Sequence, residues 1–233
     1  MRWAAIVVAA GRGTRMGRPK QFIELAGLPM VGWSIATFAA MNEIAEIVVA
    51  TEPESLEPME ALLRRLAPHV AHRVVRGGAA RQDSVRAGLS ALREECDAAL
   101  VHDGARPLVE APDVRSGMRE VRPGRASLLA TPVVDTIKVV ERDGRRVRAS
   151  LERAELWSAQ TPQFATLADL RAAHESGARD GVAATDDSAL LERGGVEVVV
   201  VRSTGENFKV TLPEDVARAE AILSGRAAPL HAG

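Results

Sequence analysis

The sequence predicts an α/β protein: a mostly parallel, Rossmann-like sheet flanked by helices, with a projecting β-hairpin arm. Three observations carry this. Short apolar runs of strand type alternate with amphipathic helical patterns, which is the signature of βαβ units. The first run, Trp3 to Ala10, flows directly into a loop of three glycines and four cations. Late in the chain the alternation breaks, and a long hairpin pattern replaces it.

In chain order, Ala4 to Ala9 is a continuous apolar β run, as in a strand buried on both faces. Pro29 to Met41 has apolar residues at helical spacing (Val31, Ile35, Phe38, Ala39). Glu46 to Ala50 reads as the second strand. Leu56 to Leu66 is an amphipathic helix, with Pro58 tolerated in its first turn. His72 to Val75 is the third strand; it runs into GGAARQDSV, whose Asp83 and Ser84 open a helix to about Glu95. Ala98 to His102 is the fourth strand, ending in HDGARP. Pro112 to Arg122 is a helix and Ser127 to Thr131 a strand. Val133 to Val140 and Val147 to Leu151 then flank an Asp143-Gly144 turn, a hairpin signal. An isolated two-stranded ribbon is marginal in water, so this arm (about 132–158) is expected to clasp a second subunit. QTPQF, Gln160 to Phe164, is left without an element. Leu167 to His174 and Thr185 to Glu192 are helical, with the acids of the latter suiting its dipole. Val196 to Val201 is a strand, and NFKVT, Asn207 to Thr211, a short one. Thr211 to Glu214 reads as a capping box for a last helix ending near Leu223. The organisation expected is one domain, 1–224, that includes the arm, followed by a loose tail, 225–233.

The loop Ala9 to Phe22 is the candidate site. Gly11, Gly13 and Gly17 alternate with Arg12, Arg15, Arg18 and Lys20. Glycine lets backbone approach a ligand, and successive N–H groups make an anion-binding concavity. Guanidinium and ammonium groups add full charge. A dinucleotide fingerprint fits poorly, because Met16 stands at the third glycine position and no acid lies at the ribose spacing. A Walker A loop lacks its glycine spacing. A loop that wraps a nucleoside triphosphate remains. Arg81, Asp83 and Ser84, at the tip of the third strand, are placed to meet a base or ribose, although Asp and Ser also serve as caps. Asp103 and Arg106, after the fourth strand, suit metal or substrate contact. His102 reads as a satisfied, partly buried histidine, and no second ligand at metal spacing accompanies it.

The composition restricts the rest. Apolar residues make 46% and charged residues 26% of the 233, with a net charge of −1. This favours no nucleic-acid or membrane partner. The Met1-Arg2 start imitates a signal peptide, but one arginine and direct flow into the loop favour a strand. A single cysteine, Cys96, permits no intrachain disulfide and fits a reducing, cytoplasmic setting. Of 30 basic residues only Lys20, Lys138 and Lys209 are lysine. Lysine is a compact point charge where arginine is a planar fork, so these three merit separate attention.

Taken together, AAGRGTRMG with PKQF, GG-x-x-R-x-D-S-V, VHDGARP, PVVDTIK, ER-x-x-LW-x-x-QTPQ, TDDSALLE and NFKVTLPED resemble the 2-C-methyl-D-erythritol 4-phosphate cytidylyltransferase family, from residue 3 to about 223. Gly104 stands where that family more usually has alanine. The resemblance implies a nucleotidyltransferase-type fold and a homodimer with exchanged arms. It implies transfer of a cytidylyl group from CTP to methylerythritol phosphate, with magnesium bridging the triphosphate oxygens. Arg15 and Lys20 would stabilise the transition state, with Lys209 and the arm's Arg153 at the second phosphate. Ala9, Ala10, Gly11, Gly13, Gly78, Asp83 and Ser84 would hold CTP. Asp103, Arg106, Thr136, Thr161 and Thr185 would bind substrate, Thr136 from the arm; Asp103 is also open as a metal ligand. Two alternatives stand beside this: a cytidylyltransferase for ribitol 5-phosphate or another polyol phosphate, and a silent nucleotide-binding protein that has lost loop cations or Asp103. Here none is lost.

Overall fold

The computed structural model describes residues 1–11, 20–93, 95–142, 144–203 and 206–226. The strands are β1 (Trp3–Ala9), β2 (Glu24–Leu25), β3 (Leu28–Pro29), β4 (Ile44–Thr51), β5 (Ala71–Arg76), β6 (Ala98–Asp103), β7 (Arg125–Pro132), β8 (Lys138–Val140), β9 (Val147–Ser150), β10 (Trp157–Thr166) and β11 (Glu197–Arg202). The helices are α1 (Met30–Ala39), α2 (Leu56–Leu66), α3 (Arg81–Ala91), α4 (Ala111–Glu120), α5 (Leu167–Arg179), α6 (Asp187–Arg193) and α7 (Pro213–Ser224).

Seven strands form one sheet in the order β11-β7-β10-β6-β1-β4-β5. β1 pairs in parallel with both β4 and β6, and β4 with β5. β1 is an interior strand, and its alternate residues feed two cores, as the period-2 geometry of a strand requires. Trp3, Ala5 and Val7 join the core built with α1, α2, α4 and α7. Ala4 and Ile6 join the core built with α3, α5 and α6. A continuous apolar run is therefore what a strand covered on both faces needs. On α2, Met59, Leu62, Leu63 and Leu66 fall at i, i+3, i+4 and i+7 and are all buried. Each such side chain contributes about 1.5–3 kcal/mol by leaving water. Close layers need small residues at the contacts. A Cβ on Gly88 of α3 would lie 2.6 Å from Ile6 of β1, and one on Gly117 of α4 would fall on the Phe164 ring.

Four readings of the sequence need correction. First, QTPQF belongs to β10, a ten-residue strand antiparallel to both β6 and β7. Among the described residues it is the only antiparallel strand of the main sheet. Its pairing with β7 shifts register between Ala159 and Gln163, so Gln160, Thr161 and Pro162 bulge out of the ladder. Pro162 lacks a ladder donor, which is why a proline within a strand goes with a bulge. Second, NFKVT forms no strand. Its residues are held by single bonds, Val210 N–H donating to the Ala105 carbonyl at 2.8 Å. Third, the last helix is capped by Asp215, whose carboxylate accepts the N–H groups of Thr211 and Leu212, both at 2.8 Å. Glu214 is one position too early to do this. Fourth, α3 stops at Ala91, short of Glu95.

The arm is a hairpin of β8 and β9, with Asp143 of its turn outside the described residues. Its ladder is shorter than the sequence suggests. Lys138 Nζ donates to Ser150 Oγ across it at 2.6 Å. Apolar residues on and beside it face solvent, Val134 at 80% and Val147 at 54% exposure. The stem is the end of the main sheet, where Trp157 pairs with Pro132.

Candidate active site

Parallel strands leave their carboxyl ends on one edge, and ligands gather there. The ends of β1, β5 and β6 open onto a cleft of about 920 Å³. Its wall runs from Val8 to Gly11, through Lys20 and Gln21, across Arg76 to Arg81 and Ser84, to Asp103 and Lys209. Eight of the predicted site residues therefore meet in one cavity: Ala9, Ala10, Gly11, Lys20, Gly78, Ser84, Asp103 and Lys209. Arg15 and Gly13 lie outside the described residues.

The glycine pair at the end of β5 is required by space. A Cβ on Gly77 would strike the Ala10 side chain, and one on Gly78 would strike Asp83. The second loop thereby packs against the first. Ser84 Oγ accepts the Gly78 N–H at 3.1 Å and reaches the Ala80 carbonyl at 3.3 Å. Asp83 accepts the Ala80 N–H at 3.2 Å, which is a helix-capping bond.

A chain of alternating charges runs into the cleft from behind. Asp103, at the tip of β6, accepts from Lys209 Nζ on Oδ2 at 2.8 Å and from Arg81 Nε on Oδ1 at 2.9 Å. Arg81 Nη1 reaches Asp187 Oδ2 at 2.8 Å, and Asp187 Oδ1 meets His174 Nε2 at 3.0 Å. Burial opposes the charge of Asp103, but Arg81 and then Lys209 outweigh it and hold its carboxyl well below the usual range. Burial likewise opposes Asp187, which Arg81 and His174 hold below its usual value. Burial also opposes Arg81, and the two carboxylates more than offset it, so the guanidinium stays a cation. Arg81 lines the cleft at the tip of β5, as the sequence reading places it, and Asp187 stands in the first turn of α6; both side chains also build this chain.

β10 sets the back wall. Thr161 Oγ1 accepts the Asp103 N–H at 2.9 Å and lies 3.1 Å from His102 Nδ1. Gln163 Oε1 accepts the N–H groups of Asp187 and Ser188 at 2.9 and 2.8 Å, which fixes the start of α6. Sequence reasoning missed Gln163; two glutamines in an otherwise buried strand were the available signal, since buried polar groups are hydrogen-bonded. His102 is fully buried between Ser34 Oγ and the Arg106 carbonyl on one side and Thr161 on the other. Burial pushes its pKa down to about 4. It is the satisfied, neutral histidine that the sequence suggests. Between pH 6.5 and 4 the unfolded chain takes up this proton and the folded one does not, so stability falls as pH drops. Denaturant midpoints measured from pH 7 to 4 should fall more steeply for the wild type than for His102→Asn.

Other predicted residues stand away from the cleft. Arg106 Nη1 donates to the Asn207 carbonyl at 2.8 Å, and Asn207 Nδ2 to the Thr161 carbonyl at 2.8 Å. This clamp holds the 207–210 segment. The same segment presents Lys209 to Asp103, while the Val210 carbonyl accepts from Lys20 Nζ at 3.2 Å. Thr185 is exposed just before α6. Thr136 and Arg153 are exposed on the arm, Arg153 Nη1 donating to the Val134 carbonyl at 3.1 Å. No group of three His, Cys, Asp or Glu side chains is placed to hold a metal among the described residues.

A Rossmann-like sheet with its strand tips around a lysine-bearing cleft is the architecture of an α/β protein that binds an anionic ligand at its sheet edge, and the relatives place it among the nucleotidyltransferases. The family model described as 2-C-methyl-D-erythritol 4-phosphate cytidylyltransferase matches residues 3–225. The enzyme of that name from Halalkalibacterium halodurans is 40% identical over 226 residues, covering 96% of this chain and 98% of its own. That from Shouchella clausii is 41% identical over 231 residues, covering 97% and 98%. Among solved structures, 4-diphosphocytidyl-2C-methyl-D-erythritol synthase from Anaerococcus prevotii superimposes with a TM-score of 0.84 at 28% identity, covering 95% of this chain and 98% of its own. The Thermus thermophilus cytidylyltransferase does so at 0.77 and 32% identity, with the same coverage. The chain belongs to the 2-C-methyl-D-erythritol 4-phosphate cytidylyltransferase family.

Proposed function

We infer that this protein transfers the cytidylyl group of CTP to 2-C-methyl-D-erythritol 4-phosphate, forming CDP-methylerythritol and pyrophosphate for isoprenoid biosynthesis. Family membership carries the activity. The observation that supports the mechanism is the convergence of Lys20 and Lys209 on one cleft, tied through neighbouring atoms of a single segment.

The nucleophile is a phosphate oxygen of the sugar phosphate. A phosphate monoester has its second pKa near ~6 and is largely dianionic at neutral pH, so no general base is required. The oxygen attacks the α-phosphorus of CTP in line, the bond from that phosphorus to the bridging oxygen breaks, and pyrophosphate leaves. Two anions must meet, so catalysis is charge neutralisation and positioning. In this reading Arg15 and Lys20 hold the triphosphate, and Lys209 with Arg153 of a partner subunit holds the second phosphate. Ala9, Ala10, Gly11, Gly13 and Gly78 offer backbone to CTP, and Ser84 and Asp83 brace that loop. Asp103, Arg106, Thr161 and Thr185 belong to the methylerythritol side, Thr136 reaching in from the arm.

Magnesium would be held mainly by the triphosphate oxygens and would supply positive charge there. Among the described residues no group of three carboxylate, His or Cys side chains is placed to hold it, and both Asp103 oxygens are in ion pairs. Residues 1–224 are taken as one domain with the arm at about 132–158 and a tail from 225. The exposed apolar residues of the arm favour a homodimer with exchanged arms. No helix among the described residues is long and apolar enough to cross a membrane, which agrees with a cytoplasmic location.

Product analysis with CTP, magnesium and either methylerythritol phosphate or ribitol 5-phosphate tests the activity. Equal use of both would favour the sibling polyol-phosphate enzyme. Subunit exchange tests the arm. Lys20→Ala and Arg153→Ala preparations should each be weak. Mixed, they should recover roughly a quarter of wild-type activity, because half the dimers then carry one intact site. No recovery would place Arg153 in its own chain's site or outside any.

A further inference from the structure

Asp187 and His174 do not line the cleft, yet both are 1% exposed and joined at 3.0 Å. Burying a carboxylate is costly unless it is paired, so a partner this specific has a use or a large penalty. Its partner on the other side is Arg81, and the way Arg81 is shared is informative. Arg81 spends Nε on Asp103 and Nη1 on Asp187, while its Nη2 is buried with no hydrogen-bond partner. Nε and Nη2 lie on one edge of a guanidinium and can grip both oxygens of one carboxylate. Here that grip is not made, and the second Asp103 oxygen holds Lys209 instead.

We propose that Asp187, oriented by His174, is a positioning residue: by holding Arg81 through Nη1 it keeps the guanidinium off the second Asp103 oxygen and so reserves that oxygen for the Lys209 ammonium at the cleft. Gln163 supports this from the backbone side, since it accepts the Asp187 N–H. Neither Asp187 nor His174 touches substrate in this scheme. The proposal rests on the reading of Lys209 as the group that meets the sugar phosphate.

The test uses the full chain carrying Asp187→Asn, with His174→Leu and His174→Gln as companions. Two readouts are taken. Reductive methylation of lysine, read by mass spectrometry, compares Lys209 with Lys138 and is independent of activity. Steady-state kinetics give separate KM values for the two substrates. In folded Asp187→Asn, Lys209 should label severalfold faster relative to Lys138. KM for methylerythritol phosphate should rise by about tenfold, as for loss of one coupled contact, with KM for CTP changing much less. His174→Leu should move both readouts the same way, and His174→Gln, which keeps a donor toward Asp187, should sit near wild type. Unchanged labelling and KM in folded Asp187→Asn would overturn the proposal, as would an equal rise in both KM values. If Asp187→Asn does not fold, the His174 pair decides, and like behaviour of Leu and Gln overturns it. Absence of turnover in the wild type would instead remove the reading of the reaction, while the labelling comparison would still judge the positioning.

Discussion

Lys20→Ala should lower kcat by about 10²–10³-fold, the usual loss for one preorganised contact to developing charge. The expectation rests on placement. Lys20 lies at the cleft beside the end of β1 and is anchored to the Val210 carbonyl at 3.2 Å. An anchored ammonium needs little reorganisation when charge builds on the leaving pyrophosphate. Lys20→Arg should recover little, because a fork does not reproduce a compact charge at that distance. Stopped-time assays of pyrophosphate release on folded variants give the answer. Turnover within a few-fold of wild type would remove Lys20 from the transition state.

Arg81→Ala should cost about 3–5 kcal/mol of stability, because it removes one of the two partners of each of two carboxylates, leaving Asp187 with only His174 and Asp103 with only Lys209. Asp187 is 1% exposed and does not line the cleft, so water does not replace the lost partner there without movement; Asp103, at 11%, faces the cleft. For a chain of this size the melting point should drop by roughly 10 °C or more. The sign of the pH dependence follows from the same pairs. Both carboxyls are held below their ordinary values in the folded state, so their stabilisation is present above about pH 4 and lost as pH falls. Arg81→Ala removes that contribution, so its difference from wild type should shrink under acid conditions. Equal melting of the two proteins at pH 7 would mean that the pairs contribute nothing net. Arg81→Lys is expected to retain one pair at most, since a single ammonium does not span Asp103 and Asp187 as the fork does.

The parallel half of the sheet was legible because burial on both faces leaves a plain mark. Ala4 to Ala9 and Ile47 to Ala50 are apolar throughout, and Met59 to Leu66 repeats at helical spacing. β10 left no such mark. Gln160, Thr161 and Gln163 are buried yet polar; Thr161 hydrogen-bonds to Asp103 and His102, and Gln163 to the start of α6. A strand whose side chains serve a site looks like a loop. The opposite error arose at Asn207 to Thr211. It reads as a short strand, but its bonds go to Ala105, Arg106, Thr161 and Lys20 one at a time, and no ladder partner lies beside it among the described residues. The site was legible where it is made of glycine and cations at strand tips. Asp187 was not, because a carboxylate in the first turn of a helix has a sufficient local explanation, and only the fold turns it inward toward a residue 106 positions earlier.

β10 also acts as a ruler. At one end Trp157 stands in the stem of the arm, and four residues on Thr161 receives the Asp103 N–H. At about 3.3 Å per residue the two points are roughly 13 Å apart or less, along backbone that is paired as far as Ala159 and bulges just before Thr161. The reach of the arm and the placement of the Asp103 carboxylate are thus graduated on one rod. Lengthening or shortening it by one residue would move both marks together and turn every following side chain to the other face of the sheet. A change of length in the arm should therefore be tolerated only at its tip, beyond the pair of Pro132 and Trp157.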